Sequence, residues 1–119
     1  MGIARLPPGS AVPGWALSAP WSSVTRTSLE LSLVQPWDQM PRTEERSGPW
    51  RVLSVGGPLA HDLVGVLQEL LDPLAAAGIP VFVISTFDTD HVLVPSARLA
   101  AAIAALEGAG HRVLAPEHT

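Results

Sequence analysis

Between residues 51 and 114 the apolar residues keep changing period, and a glycine or proline stands at each change. That pattern restricts the segment to short strands and helices layered on one another. Arg51, Val52, Leu53, Ser54 and Val55 read as a strand, stopped by the turn formers Gly56, Gly57 and Pro58. Leu63, Val66, Leu67, Leu70, Leu71 and Leu74 then recur at helical spacing, with Asp62 as N-cap and Gly78 as stop. Pro73 inside this helix should kink or tighten its last turn. Residues 79–86 form a strand that is apolar on both parities, with Val81 and Val83 on one face and Phe82 and Ile84 on the other. A turn at residues 88–90 and a returning strand at 91–94 make a hairpin. Pro95 and Ser96 open a second helix carrying Leu99, Ile103 and Leu106, closed by Gly108 and Gly110, and residues 111–114 are the last strand.

The order β-α-β-β-α-β defines an α+β, ferredoxin-like unit: four antiparallel strands with both helices on one face. Val66, Leu67, Leu70, Ile103 and Leu106 are expected to be buried against the sheet. Two helices cover only one face, yet the strand at 79–84 is taken as central and apolar on both. The second face therefore calls for cover, from the first fifty residues or from a second copy in a homodimer.

The N-terminal half is cut by Pro7, Pro8, Pro13 and Pro20 and offers no ordinary helix. Residues 3–6, 21–27 and 29–34 read as short strands. The run from Ser23 to Pro36 has the layout of the run from Ser85 to Pro95, with Ser/Thr first, then a polar turn and a strand ending in Leu-Val and a proline. The two differ by three residues in length, so chance and duplication both account for the match; duplication would make the first half a reduced copy of the second. The resulting division is a degenerate half at 1–40, a linker at 41–50 and the full unit at 51–115.

A chain of 119 residues supports one compact domain or two small fused ones. Seven Lys/Arg against eleven Asp/Glu give a net charge of -4 with no basic cluster, so neither nucleic acid nor an anionic membrane is expected as a partner. The absence of cysteine removes disulfides, thiolate catalysis and Cys-based zinc sites. With no leader-like segment and no membrane-length apolar run, a cytoplasmic protein is expected.

Several groups carry two readings each. Gly56, Gly57 and Pro58 before a helix are either a tight turn or an anion cradle, without the P-loop lysine. Gly65, placed in the first turn of an apolar helix, costs roughly 0.5 to 1 kcal/mol against alanine. Close helix packing or close approach of a ligand's main chain would explain it. Asp88, Asp90 and His91 suggest metal ligands, and His61 with Asp62, or Ser85 with His91, a catalytic pair. Strand alternation sends Asp90 and His91 to opposite faces, and the spacing offers no oxyanion hole, so solvated turn residues are the simpler reading. No metal, cofactor or catalytic residue is assigned, and the chain is not expected to be an enzyme.

The run Ile84, Ser85, Thr86, Phe87, Asp88, Thr89, Asp90, His91, Val92, Leu93, Val94, preceded by Gly57-Pro58-Leu59 and Leu63-Val64-Gly65-Val66, resembles the ACT-domain family. The likeness is to the subfamily of aspartate-kinase regulatory regions, small bacterial amino-acid-binding proteins and cytosolic arginine sensors. Ser23 to Thr27 with Glu30 to Leu33 resembles the degenerate first repeat of the small bacterial members. The resemblance implies a regulatory protein with a free amino acid bound between two ACT-like units, and an unidentified enzyme as a possible regulated partner. It implies that main-chain groups near Leu63, Gly65 and Val66 meet the ligand's carboxylate and ammonium. Thr86, Phe87 and Thr89 would line the pocket, Asp90 would face the side chain or ammonium, and Ser23 and Val24 would close it. Ala60 and His61 stand where many relatives carry an acidic and an aromatic residue, which puts the pocket's chemistry in question. The alternative is a structural or partner-binding module that dimerises through its sheet without a ligand.

Overall fold

The computed structural model describes residues 1–42, 45–56 and 65–114. The chain divides into two compact units, Met1–Trp50 and Arg51–Thr119.

In the first unit, β1 (Gly2–Leu6), β2 (Ser23–Arg26), β3 (Leu31–Gln35) and β4 (Glu45–Ser47) form one sheet in the order β2-β3-β1-β4. Every pairing in it is antiparallel. Glu45–Ser47 lies in the segment expected as a linker, yet it pairs with β1. Single turns of 3-10 helix, at Gly14–Ala16 and Trp37–Gln39, stand where helices would follow β1 and β3. The sequence explains why neither lengthens. The first follows Pro13 and is succeeded by Pro20. The second ends at Met40, whose φ -87 and ψ 123 are the extended values that a residue before proline, here Pro41, must adopt. Ala4, Ala16, Leu31, Leu33 and Met40 form the core.

The second unit contains β5 (Trp50–Ser54), α1 (Val66–Ala76), β6 (Phe82–Ser85), β7 (Asp90–Pro95) and α2 (Leu99–Gly108), with a 3-10 turn at Ser96–Arg98 leading into α2. The sheet order is β5-β7-β6. Val92 and Val94 of β7 pack with Leu74 of α1, Ile79, and Ala102 and Leu106 of α2 into one core, flanked by Leu53, Leu67, Leu70, Leu71 and Val83. Both helices therefore lie on the face that carries Leu53, Val83, Val92 and Val94. Leu93 points the other way and is also fully buried.

Numbered by appearance, the first sheet runs 4-1-3-2 and the second 1-3-2. This is the ferredoxin-like order, complete in the first unit with its helices shrunk to single turns.

Four expectations need correction. Residues 111–114 make no ladder in the sheet. The chain leaves α2 with the His111 N–H bonded to the Leu106 carbonyl and the His111 ring on Glu69 of α1, so it starts on the helix layer, with Val113 against the core. The strand expected to be central, β6, is an edge, and β7 is central. Of the expected core residues on the helices, Leu106 is buried, Leu67 and Leu70 are partly buried against the core, and Val66 and Ile103 are half-buried outside it, Ala102 taking the buried place on α2 with Leu99 alongside. Gly65 is not in the first helical turn: it is the N-cap of α1, with φ 83 in the left-handed region. The expected N-cap Asp62, and Leu63 with it, lie outside the described residues.

Both helices end in the same glycine device. Gly78, at φ 71, places its N–H on the Ala75 carbonyl and the Ile79 N–H on Leu74. Gly110, at φ 95, does the same with Glu107 and, through His111, Leu106. These are paired Schellman bonds, and in α1 the buried Ile79 packs with the buried Leu74.

Candidate functional site

The β6–β7 hairpin is closed by its own threonines. The Thr86 N–H and Oγ1 both donate to the Thr89 carbonyl, at 2.8 and 3.1 Å, and the Thr89 N–H returns to Thr86 Oγ1 at 3.4 Å. A hydroxyl bonding to backbone three residues on is how threonine fixes a turn. Thr89 Oγ1 also donates to the Val55 carbonyl at 3.1 Å, and the Val55 N–H to the Asp90 carbonyl at 3.0 Å. The turn is thereby held against the end of β5.

The register pairs Ser85 with Asp90 and Ile84 with His91. Ser85 Oγ donates to Asp90 Oδ1 at 2.6 Å, a short charge-assisted bond on the helix-facing side of the ribbon. His91 goes to the other side, as alternation requires, where its Nδ1 lies 2.7 Å from Ser54 Oγ. Asp90 and His91 therefore do not share a metal, and Ser85 is not paired with His91. Among the described residues no group of three or more His, Asp or Glu is placed to hold a metal ion.

The start of α1 belongs to the same end of this unit. The C-terminal turn of α1 leads through Gly78 to Phe82, which pairs with Leu93 at the far end of the hairpin. The 11 residues of α1 span about 16 Å back from there. Its first turn, at Gly65 and Val66, thus stands toward the end occupied by Ser85 and Asp90. The first intrahelical bond is from the Glu69 N–H to the Gly65 carbonyl, and the N-cap Gly65 has no side chain with which to cap the N-terminus. The earliest N–H groups of α1 have no helical partner and point out of the helix with its positive dipole end.

Of the residues singled out from sequence, Gly65, Val66, Thr86, Phe87, Thr89 and Asp90 are gathered at this end of the second unit. Phe87 sits at the hairpin tip and is 80% exposed. Leu63, with His61 and the Gly57-Pro58 turn, lies outside the described residues. Ser23 and Val24 begin β2 in the first unit, Ser23 half-buried and Val24 exposed. Neither Ser85 nor Val55 was among the expected ligand-binding residues, Ser85 having been considered only as a partner of His91. Ser85 was recoverable, because a four-residue loop at residues 86–89 makes 85 and 90 direct cross-strand partners.

A Thr-bonded hairpin with an acid at its base, at the end of a ferredoxin-like unit where α1 begins, is the arrangement this geometry supplies. The ACT-domain family model matches residues 45–108, and a model of an N-terminal domain matches residues 1–43. The chain belongs to the ACT-domain family. It is similar to the cytosolic arginine sensor for mTORC1 subunit 1 of Bos taurus and of Homo sapiens, each 42% identical over 59 residues, 49% of this chain and 18% of theirs. The match thus spans under a fifth of those relatives. A crystal structure of a protein from Agobacterium tumefaciens is 40% identical with a TM-score of 0.91, covering 98% of this chain and 87% of that one. A protein of unknown function from Vibrio cholerae shares the fold, with a TM-score of 0.71 at 20% identity over 92% of this chain and 84% of that one.

Proposed function

We propose that this chain is a regulatory protein that binds a free amino acid at the end of its second unit where α1 begins. The observation that carries the reading is Asp90, whose Oδ1 is held by Ser85 at 2.6 Å at the end of the unit where α1 begins. A free amino acid brings a carboxylate and an ammonium, and burying either unpaired is costly. The first N–H groups of α1 are donors for the carboxylate, in the absence of a Lys or Arg in the hairpin or the first turn. Asp90 is the acceptor for the ammonium or for a cationic side chain. The similarity to the arginine sensors supports this ligand class.

The proposal includes Thr86, Phe87 and Thr89 as the lining of the pocket, in a cytoplasmic homodimer that acts on an enzyme or other target. Among the described residues no helix is long and apolar enough to cross a membrane. A thermal-shift screen over the common amino acids tests the reading. A true ligand at 100 times its Kd stabilises by about 2.7 kcal/mol. A screen with no shift for any amino acid would favour a ligand-free dimerising module instead.

A further inference from the structure

We infer that the two hairpins of the chain are copies of one element and that only the second keeps the binding chemistry, so each chain holds one amino acid, with Ser85 positioning its acceptor. This rests on the amino-acid-binding reading above.

The equivalence is set by hydrogen bonds and register. In the first unit the Thr27 N–H donates to the Glu30 carbonyl at 2.9 Å, Thr27 Oγ1 to the same carbonyl at 3.4 Å, and the Glu30 N–H to Thr27 Oγ1 at 3.2 Å. This is the pattern of Thr86 and Thr89, bond for bond. The flanking pairs agree: Arg26 with Leu31 corresponds to Ser85 with Asp90, and Ser23 with Val34 to Phe82 with Leu93. Both return strands end in a proline, Pro36 at φ -52, ψ 133 and Pro95 at φ -55, ψ 136, and both enter a 3-10 turn. Aligned on Thr27 and Thr86, the two runs reach their prolines without a gap. The three-residue offset in the sequence comparison came from aligning Ser23 with Ser85, when Ser23 is the counterpart of Phe82.

With the frame fixed, the chemistry differs residue by residue. Leu31 occupies the position of Asp90 and is fully buried in the first unit's core. Arg26 occupies the position of Ser85. The acid in the first hairpin, Glu30, takes the place of Thr89, one residue out of step and so directed to the opposite side of the ribbon. The first hairpin keeps the turn and has exchanged the acceptor for core. In the second, the Ser85 hydroxyl occupies Oδ1 of Asp90, which fixes the carboxylate rotamer and leaves Oδ2 for the ligand.

Native mass spectrometry and titration calorimetry on the full chain, using the tightest-binding amino acid of the thermal-shift screen, test this directly. One ligand per chain is expected for the wild type, and an affinity lowered roughly ten- to a hundredfold for Asp90→Asn. Two per chain, or an unchanged affinity in Asp90→Asn, would overturn the inference while leaving amino-acid binding intact. Ser85→Ala should weaken binding about three- to tenfold with an unchanged Tm, and Ser85→Thr, which keeps the hydroxyl, should restore it. Arg26→Ala should bind as wild type, and equal losses in Arg26→Ala and Ser85→Ala would overturn the assignment. Absence of binding by any amino acid would overturn both this inference and the reading on which it rests.

Discussion

At Gly65 two demands meet that have different signatures. Its φ of 83 is left-handed, which an L side chain enters at a cost of about 1–2 kcal/mol, so stability alone is a reason for glycine there. An added Cβ meets no described atom within 4 Å, so close packing against the described residues is not the cause. Gly65→Ala is therefore expected to lower stability by about 1 kcal/mol in denaturant titration, and Gly65→Asn by less, because asparagine tolerates this conformation. If a ligand's main chain also approaches here, calorimetry will show both substitutions weakening binding, regardless of which is more stable. Asp90→Ala removes the acceptor while the strand pairs of β6 and β7 remain. A charge-assisted bond of about 1.5–3 kcal/mol predicts a loss of roughly ten- to a hundredfold in affinity with the fold retained. Unchanged affinity in Asp90→Ala would place the ligand elsewhere.

At the scale of elements, Pro73 does not break α1, and the reason lies outside the helix. A proline has no N–H for the carbonyl four residues back, here Glu69. His111 Nε2 lies 3.0 Å from that oxygen and, as its donor, replaces the missing amide. His111→Ala should cost about 0.5–1 kcal/mol, near the low end for a hydrogen bond because the site is exposed. The same substitution in a Pro73→Ala background should cost little, since residue 73 then supplies its own N–H. Additive costs in that double-mutant cycle would mean that His111 acts by packing alone. The cross-helix bond was not legible in the sequence, because nothing local links residues 69 and 111. What local chemistry determines was legible: the two strand-rich hairpins, the glycine stops at Gly78 and Gly110, and the opposite facing of Asp90 and His91. What tertiary context determines was not. The choice of Ala102 over Ile103 on α2, the edge position of β6 and the pairing of residues 45–47 with β1 all depend on partners far along the chain. The repeat was visible only as a similar layout, since its true frame is marked by threonine bonds and not by residue identity. For the site, the hairpin acid and the glycine at the helix start could be picked out, whereas the Ser85–Asp90 pair needed the register.

For the molecule as a whole, the edge position of β6 alters the basis for expecting a homodimer. From sequence, a dimer is expected because a central strand has two apolar faces. The central strand is β7, with Val92, Leu93 and Val94 all fully or nearly fully buried. β6 instead presents an open backbone edge among the described residues, carrying Phe82, Val83 and Ile84 half-buried and preceded by Val81 at 36% exposure. An apolar edge strand with no lysine and no proline within it lacks the usual protections against pairing, which makes it the natural seam for a second copy. Sedimentation velocity at micromolar concentration should therefore report a dimer. Val81→Lys puts a charge beside that edge without entering the core, and it should shift the equilibrium toward monomer by at least severalfold in Kd while Tm of the monomeric species is unchanged. A chain that sediments as a monomer at these concentrations would remove dimerisation from the proposal and leave amino-acid binding to be judged on Asp90 alone. A dimer unaffected by Val81→Lys would keep the assembly but move its seam away from β6.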